Sequence, residues 1–200
     1  MSVFPALLSA SCASEPVSAV FFHCKEALAE DGKRVILLDA DLRKSVLYNR
    51  CMPDQEVKGL GHYLAGFVPH NDVICKTNIK NMYMAFAGLN APNPAELLGN
   101  PKFKAAIEAM KKSFNYIIVD CAPIGAVIDA AVVAKSVDGM VMVIEQKKVS
   151  RRMAQKMKEQ LEASGCPLLG VVLNKVKISE NKGYGGYGQY YGHYGKYGEY

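Results

Sequence analysis

Arg34-Val35-Ile36-Leu37-Leu38-Asp39-Ala40-Asp41-Leu42-Arg43-Lys44 is the stretch from which the rest of the chain can be read. Four consecutive apolar residues between charged ones predict a strand buried on both faces, as in a parallel sheet. Two aspartates and an arginine then come where that strand must leave the sheet. In an open α/β sheet, ligands bind at the carboxyl ends of the strands. Carboxylates at such an edge are hard oxygen ligands suited to Mg²⁺, or bases for a hydroxyl. The plainer reading is that Asp39 and Asp41 only punctuate a loop.

The rest of the chain favours the first reading. Tyr116-Ile117-Ile118-Val119-Asp120 repeats the theme of an apolar run ending in a carboxylate. Between and around these two runs, strand-like and helix-like segments alternate. Strands are expected at Val3–Leu8, Arg34–Leu38, Met82–Phe86, Gly139–Ile144 and Leu168–Leu173. A loop is expected at Ala10–Pro16. Helices are expected at Ser18–Ala29, Gly59–Gly66, Ala95–Leu98, Pro101–Lys112, from Gly125 to about Lys135, and Arg151–Ala163. Such alternation predicts βαβ units: an α/β, doubly wound, mostly parallel sheet of six to eight strands with helices on both faces.

Composition narrows the function classes. The chain has 200 residues, half of them hydrophobic, and a formal charge of +5. That charge suits a phosphate ligand or an anionic surface but is too small to argue for nucleic acid. The six cysteines, at 12, 24, 51, 75, 121 and 166, form no CxxC pair. Zinc ribbons and disulfide frameworks are therefore unsupported, and reduced thiols in cytosol fit better. No apolar run reaches the roughly 18 residues needed to span a bilayer. The start lacks a basic segment and is expected to be a strand rather than a signal peptide.

From Lys182 the composition breaks. The last residues are mostly Gly and Tyr, with no apolar periodicity, and are expected to be disordered. The expected organisation is one domain over 1–181 and a flexible tail over 182–200. Seven tyrosines, Tyr184, Tyr187, Tyr190, Tyr191, Tyr194, Tyr197 and Tyr200, lie in that tail. They read either as a sticky low-complexity segment or as phosphate acceptors.

These motifs carry a resemblance. Ile36 to Lys44, Asn93-Pro94-Ala95-Glu96-Leu97-Leu98, Tyr116 to Asp120, Val171-Val172-Leu173-Asn174-Lys175 and the tyrosine tail together resemble the bacterial tyrosine kinases of capsule and exopolysaccharide synthesis. That family sits in the P-loop class with MinD and ParA. The resemblance implies in-line transfer of the γ-phosphoryl group of ATP, with Mg²⁺, to tail tyrosines. It places Asp120 on the metal, with Asp41 sharing that task and Asp39 accepting the tyrosine proton. The roles of Asp39 and Asp41 could be exchanged. Arg43 would steady phosphates as part of the catalytic set, or make a structural or intersubunit ion pair. Asn174 would contact adenine. Asp129 and Asp138 read as helix caps or solvated charges, and His62 and His70 as loop residues without partners.

The phosphate loop departs from the family. Its Gly-Glu-Gly-Lys-Ser/Thr falls on Ser14-Glu15-Pro16-Val17-Ser18. Glu15 and Ser18 survive as nucleotide-binding residues, Ser18 also as a metal ligand. Both glycines and the lysine are replaced. Pro16 withholds a backbone N–H, and Val17 puts an isopropyl group where a cation belongs. Cys121-Ala122-Pro123 stands where the family has Thr-Pro-Pro.

The resemblance further implies a membrane adaptor of the polysaccharide chain-length type and a cytoplasmic location at the inner face of the plasma membrane. It also implies a homo-oligomer or ring, although this chain begins almost at its first strand, without the family's docking segment. Three functions remain open: an autophosphorylating kinase regulating polysaccharide export, an impaired pseudokinase or binding module of the same system, and a ParA-like ATPase.

Overall fold

The apolar run after Arg34 does form a strand, and its neighbours show why it is buried on both sides. A computed structural model describes residues 6–11, 28–51, 53, 56–122 and 128–176. Its strands are β1 (Ala6–Ser11), β2 (Val35–Asp39), β3 (Cys75–Lys76), β4 (Met82–Ala85), β5 (Tyr116–Cys121), β6 (Gly139–Glu145) and β7 (Leu168–Asn174). They form one seven-stranded sheet in the order β3-β4-β2-β5-β1-β6-β7. Every pairing is parallel except β3 with β4. This is the doubly wound, mostly parallel architecture the sequence predicted.

All five residues of β2 are buried. Ile36 and Leu38 enter the larger apolar cluster, which includes Ile117, Val119, Met140 and Met142. Val35 and Leu37 enter the second, with Met82, Met84, Ile118 and Val143. Successive side chains alternate between faces, so a strand feeding two cores must be apolar throughout.

Helices α1 (Leu47–Cys51), α2 (Leu60–Leu64), α3 (Pro94–Gly99), α4 (Pro101–Lys111), α5 (Asp129–Val133) and α6 (Arg151–Glu162) cover the sheet. In α4, Phe103, Ala106, Ile107 and Met110 are buried at the spacing of one helical face. Pro101 occupies the first turn and the Asn100 side chain caps it, accepting from Lys102 N–H at 2.9 Å. In α6, Ser150 caps the helix in the same way, while Met157 and Leu161 face inward.

Several boundaries differ from expectation. The described part of β1 runs on to Ser11, through residues expected to be loop. Helix α1, the short β3 and a 3-10 turn at His70–Val73 had no expectation at all. The helix expected from Gly125 is described as α5 followed by a 3-10 turn at Ala134–Ser136. His62 lies on α2 rather than in a loop, and its Nδ1 accepts the Gly59 N–H at 3.1 Å. Gly59 itself admits no side chain, since a Cβ there would stand 2.3 Å from the Phe86 carbonyl oxygen. That approach lets the Leu60 and Gly61 amides donate to the Phe86 and Ala87 carbonyls at 2.7 and 2.8 Å. The phosphate-loop segment and the tyrosine tail lie outside the described residues. Among those described, no helix is long and apolar enough to cross a membrane.

Phe103 is fully buried between α4 and the sheet. Phe103→Ala is expected to cost about 3–5 kcal/mol in denaturant unfolding. The neighbouring exposed Lys104→Ala should stay within about 0.5 kcal/mol of wild type.

Candidate active site

The parallel register brings the two carboxylate-ended strands side by side. Asp39 of β2 pairs directly with Asp120 of β5. Just beyond, the Ala40 N–H donates to the Asp120 carbonyl at 2.7 Å, so the pairing continues to the point where the chain leaves the sheet. Both aspartates therefore stand at the carboxyl edge, next to the end of central β1. Strand order reverses around β1, with β5 on one side and β6 on the other. This is the crevice in which open α/β sheets take ligands.

Asp39 is almost fully buried, at 1% exposure. One carboxylate oxygen accepts a hydrogen bond from the Ser45 hydroxyl and the other from the Asp41 N–H at 3.2 Å. Burial raises its pKa from 3.8 to about 6, against the lowering effect of those hydrogen bonds. Asp41 plays a local role in the turn, its Oδ1 accepting from the Arg43 and Lys44 amides at 3.1 and 3.0 Å. This side-chain-to-backbone turn explains why the loop after β2 needs an aspartate there.

Arg43 reaches away from that turn to Asp129 at the start of α5. Its Nε and Nη2 donate to the two carboxylate oxygens at 2.8 and 3.2 Å, a bidentate pair. The structure thus favours the ion-pair alternative for Arg43. Asp129 corrects its sequence reading as a cap or solvated charge: it is fully buried. Its carboxylate ties the loop after β2 to α5, which in turn packs on the Asn93-Pro94-Ala95-Glu96-Leu97-Leu98 helix α3. Asp138 pairs with Lys111 at 3.2 Å, closing α4 onto the start of β6.

The environment of Cys121 shows that the acids converge. Burial, then the negative charges of Asp120, Asp129, Asp39 and Asp41, push its thiol well above the usual range. Four carboxylates from three segments thus act on one buried atom. Oxygen donors of this kind fit Mg²⁺. Among the described residues, no three His, Cys, Asp or Glu side chains form a ready-made metal cluster. A bound Mg²⁺ would therefore complete its shell with phosphate oxygens and water, as that ion commonly does.

Asn174 ends β7 at the same carboxyl edge, on the other side of β1 from Asp39. Its Oδ1 accepts the Lys175 N–H at 2.8 Å, and its carbonyl accepts from Gln146 at 2.9 Å. Glu145, opposite it on β6, is salt-bridged to Lys148 and Lys175 at 3.1 and 3.3 Å. Asp39, Asp41 and Asp120 are thus brought together, while Asn174 faces them across the end of β1. Glu15, Ser18 and the seven tail tyrosines lie outside the described residues.

A family model described as an AAA domain matches residues 20–163. The tyrosine-protein kinase CpsD of Streptococcus agalactiae is 42% identical over 153 residues, covering 76% of this chain and 67% of that protein. The chain belongs to the bacterial tyrosine-kinase family. It spans about two thirds of that relative's length. The kinase domain of the Escherichia coli tyrosine kinase ETK superposes with a TM-score of 0.80 at 28% identity, covering 94% of this chain and 74% of that one. The septum site-determining protein MinD of Pyrococcus horikoshii, solved with Mg-ADP, shares the fold alone, with a TM-score of 0.73 at 24% identity over 88% of this chain and 72% of that one.

Within this kinase-family domain, the buried Asp39 makes a pH-dependent contribution. Its folded pKa is raised, so the folded state holds the proton more tightly than the unfolded chain. The associated stability is full below pH about 3.8 and is lost as pH rises through about 6. Asp39→Asn removes that dependence. Relative to wild type, the variant should gain about 2–3 kcal/mol between pH 3.5 and pH 7.5, read by urea unfolding in EDTA.

Proposed function

We propose that this chain is an ATP-dependent protein-tyrosine kinase that phosphorylates its own C-terminal tyrosines. The observation that carries the reading is the pairing of Asp39 with Asp120 at the carboxyl edge beside β1. Family membership supplies the reaction class, and the tail supplies seven tyrosines as acceptors.

In this reading Asp120 and Asp41 would hold Mg²⁺, together with Ser18, and Asp39 receives the proton from the acceptor tyrosine. The phenolic oxygen forms a bond to the γ-phosphorus while the bond from that phosphorus to the β,γ-bridging oxygen breaks. ADP leaves with the electron pair of the broken bond, and the phenolic proton passes to Asp39. Bound Mg²⁺ supplies charge neutralisation at the phosphate oxygens. Glu15 and Asn174 serve the nucleotide, Asn174 from the adenine side. Arg43 acts by fixing the loop that carries Asp39 and Asp41, through Asp129. Phosphates on the tail would each add roughly −1.5 to −2 charges, enough to change its contacts with neighbours. We assign the chain to polysaccharide-export control at the inner face of the plasma membrane, recruited by a membrane adaptor and able to act between copies.

A second reading is favoured by one feature of the sequence. Pro16 and Val17 stand where the phosphate loop would supply an N–H and a lysine. A domain so altered could retain the fold and serve an intact paralogue as a phosphorylatable binding module.

Incubation with Mg²⁺-ATP and then mass spectrometry of the tail separates the two. The kinase reading predicts phosphate on tail tyrosines that disappears with Asp120→Asn. If the altered loop limits turnover, Ser14→Gly with Pro16→Gly and Val17→Lys should raise phosphorylation by an order of magnitude or more. Val17→Lys alone should do much less. A tail that stays unmodified in both wild type and the triple variant would contradict the kinase reading.

A further inference from the structure

A second site lies at the opposite edge of the sheet. Arg34 precedes β2, Phe114 lies just before β5, and Tyr83 is on β4, paired with Ile36. These residues, with Lys76 and His70, line a cavity of about 260 Å³. It faces the amino ends of the parallel strands. Four residue steps of β2, roughly 13 Å of strand, separate Val35 from Asp39. The cavity is therefore distinct from the carboxylate edge.

Its chemistry is specific. The Arg34 guanidinium lies over the Tyr83 and Phe114 rings, 5.4 and 5.2 Å from their centroids. The two rings meet edge to face at 5.1 Å, so the platform beneath the cation is itself fixed. No carboxylate lines the cavity. Among the described residues, no acid is paired with Arg34 or Lys76. His70 engages Asn71 through Nδ1 at 3.0 Å, while its Nε2 is enclosed without a hydrogen-bond partner. Two cationic side chains and an aromatic wall thus share one cavity that no acid lines among the described residues.

We propose that this cavity binds a phosphotyrosyl side chain. Arg34 and Lys76 meet the phosphate, and the Tyr83 and Phe114 rings meet the phenyl ring. Arginine stacked on aromatics suits this because its planar fork matches phosphate bidentately while its face rests on the rings. At about 260 Å³ the cavity has room for one side chain. The tail, with seven tyrosines among its last 17 residues, offers such a group once phosphorylated, from the same chain or a second copy. Only this choice of source rests on the autophosphorylation reading above. A phosphorylated tail held at the amino edge would be kept from the carboxyl edge where transfer takes place.

The test is calorimetric titration of the full chain, treated with phosphatase and then freed of it. The probes are a synthetic peptide of residues 187–194 phosphorylated at Tyr190, the same peptide unmodified, and inorganic phosphate. The phosphopeptide is expected to bind at least tenfold more tightly than either of the others. Arg34→Gln and Lys76→Gln should each weaken it by tenfold or more with unchanged circular dichroism. Lys76 is exposed, so its variant keeps the test valid if loss of the Arg34 stack perturbs folding. A phosphotyrosine peptide of unrelated sequence binding equally well would support the pocket and assign it to phosphotyrosine from any protein. Equal binding of phosphorylated and unmodified peptides would overturn the proposal, as would inorganic phosphate matching the phosphopeptide or affinity unchanged in both variants. Because the peptide is made chemically, the result stands whether or not the chain transfers phosphate.

Discussion

The lateral pairing of β2 with β5 is the constraint on which the carboxyl edge depends. Main-chain hydrogen bonds fix the register at Asp39 opposite Asp120, and the Ala40 N–H to Asp120 carbonyl bond extends it by one residue. A shift of one residue would exchange the faces of every β2 side chain, moving Ile36 and Leu38 out of one core and Val35 and Leu37 out of the other. The two apolar clusters therefore hold the two carboxylates in place. Local turn chemistry then shapes the loop beyond β2: Asp39 receives Ser45, Asp41 accepts from the Arg43 and Lys44 amides, and Arg43 is drawn to Asp129.

This explains what was legible in the sequence. A strand buried on both faces has to be an unbroken apolar run, and β2, β5 and β6 are plain for that reason. The convergence of Asp39 and Asp120 came from two such runs ending in acids, since parallel strands end at one edge. Asp129 was misread because its burial depends on Arg43, 86 positions away, and an aspartate at a helix start is ordinarily a solvated cap. A bidentate arginine partner leaves no local trace. The short elements α1, β3 and the turn at His70–Val73 were missed because two to five residues give no measurable periodicity. His62 was read as a loop residue without a partner because its bond to the Gly59 amide depends on the close approach of Gly59 to Phe86.

The chain also separates two kinds of charge between the ends of its strands. Acids gather at the carboxyl edge, where Cys121 feels four of them. Arg34, on the Tyr83–Phe114 platform, and Lys76 line a cavity at the amino edge with no acid beside them among the described residues. An anion is opposed at the first edge unless a metal accompanies it, and is met directly at the second. That difference gives each edge its own demand for Mg²⁺.

The central claim is that Asp39 and Asp120 frame a site for a metal-bound nucleotide. Its most direct measurement is calorimetric binding of a non-hydrolysable ATP analogue, with Mg²⁺ and then with EDTA, to the wild type and Asp120→Asn. The account predicts binding that needs Mg²⁺ and falls by tenfold or more in the variant. Binding of equal strength in EDTA, or unchanged in Asp120→Asn, would contradict it.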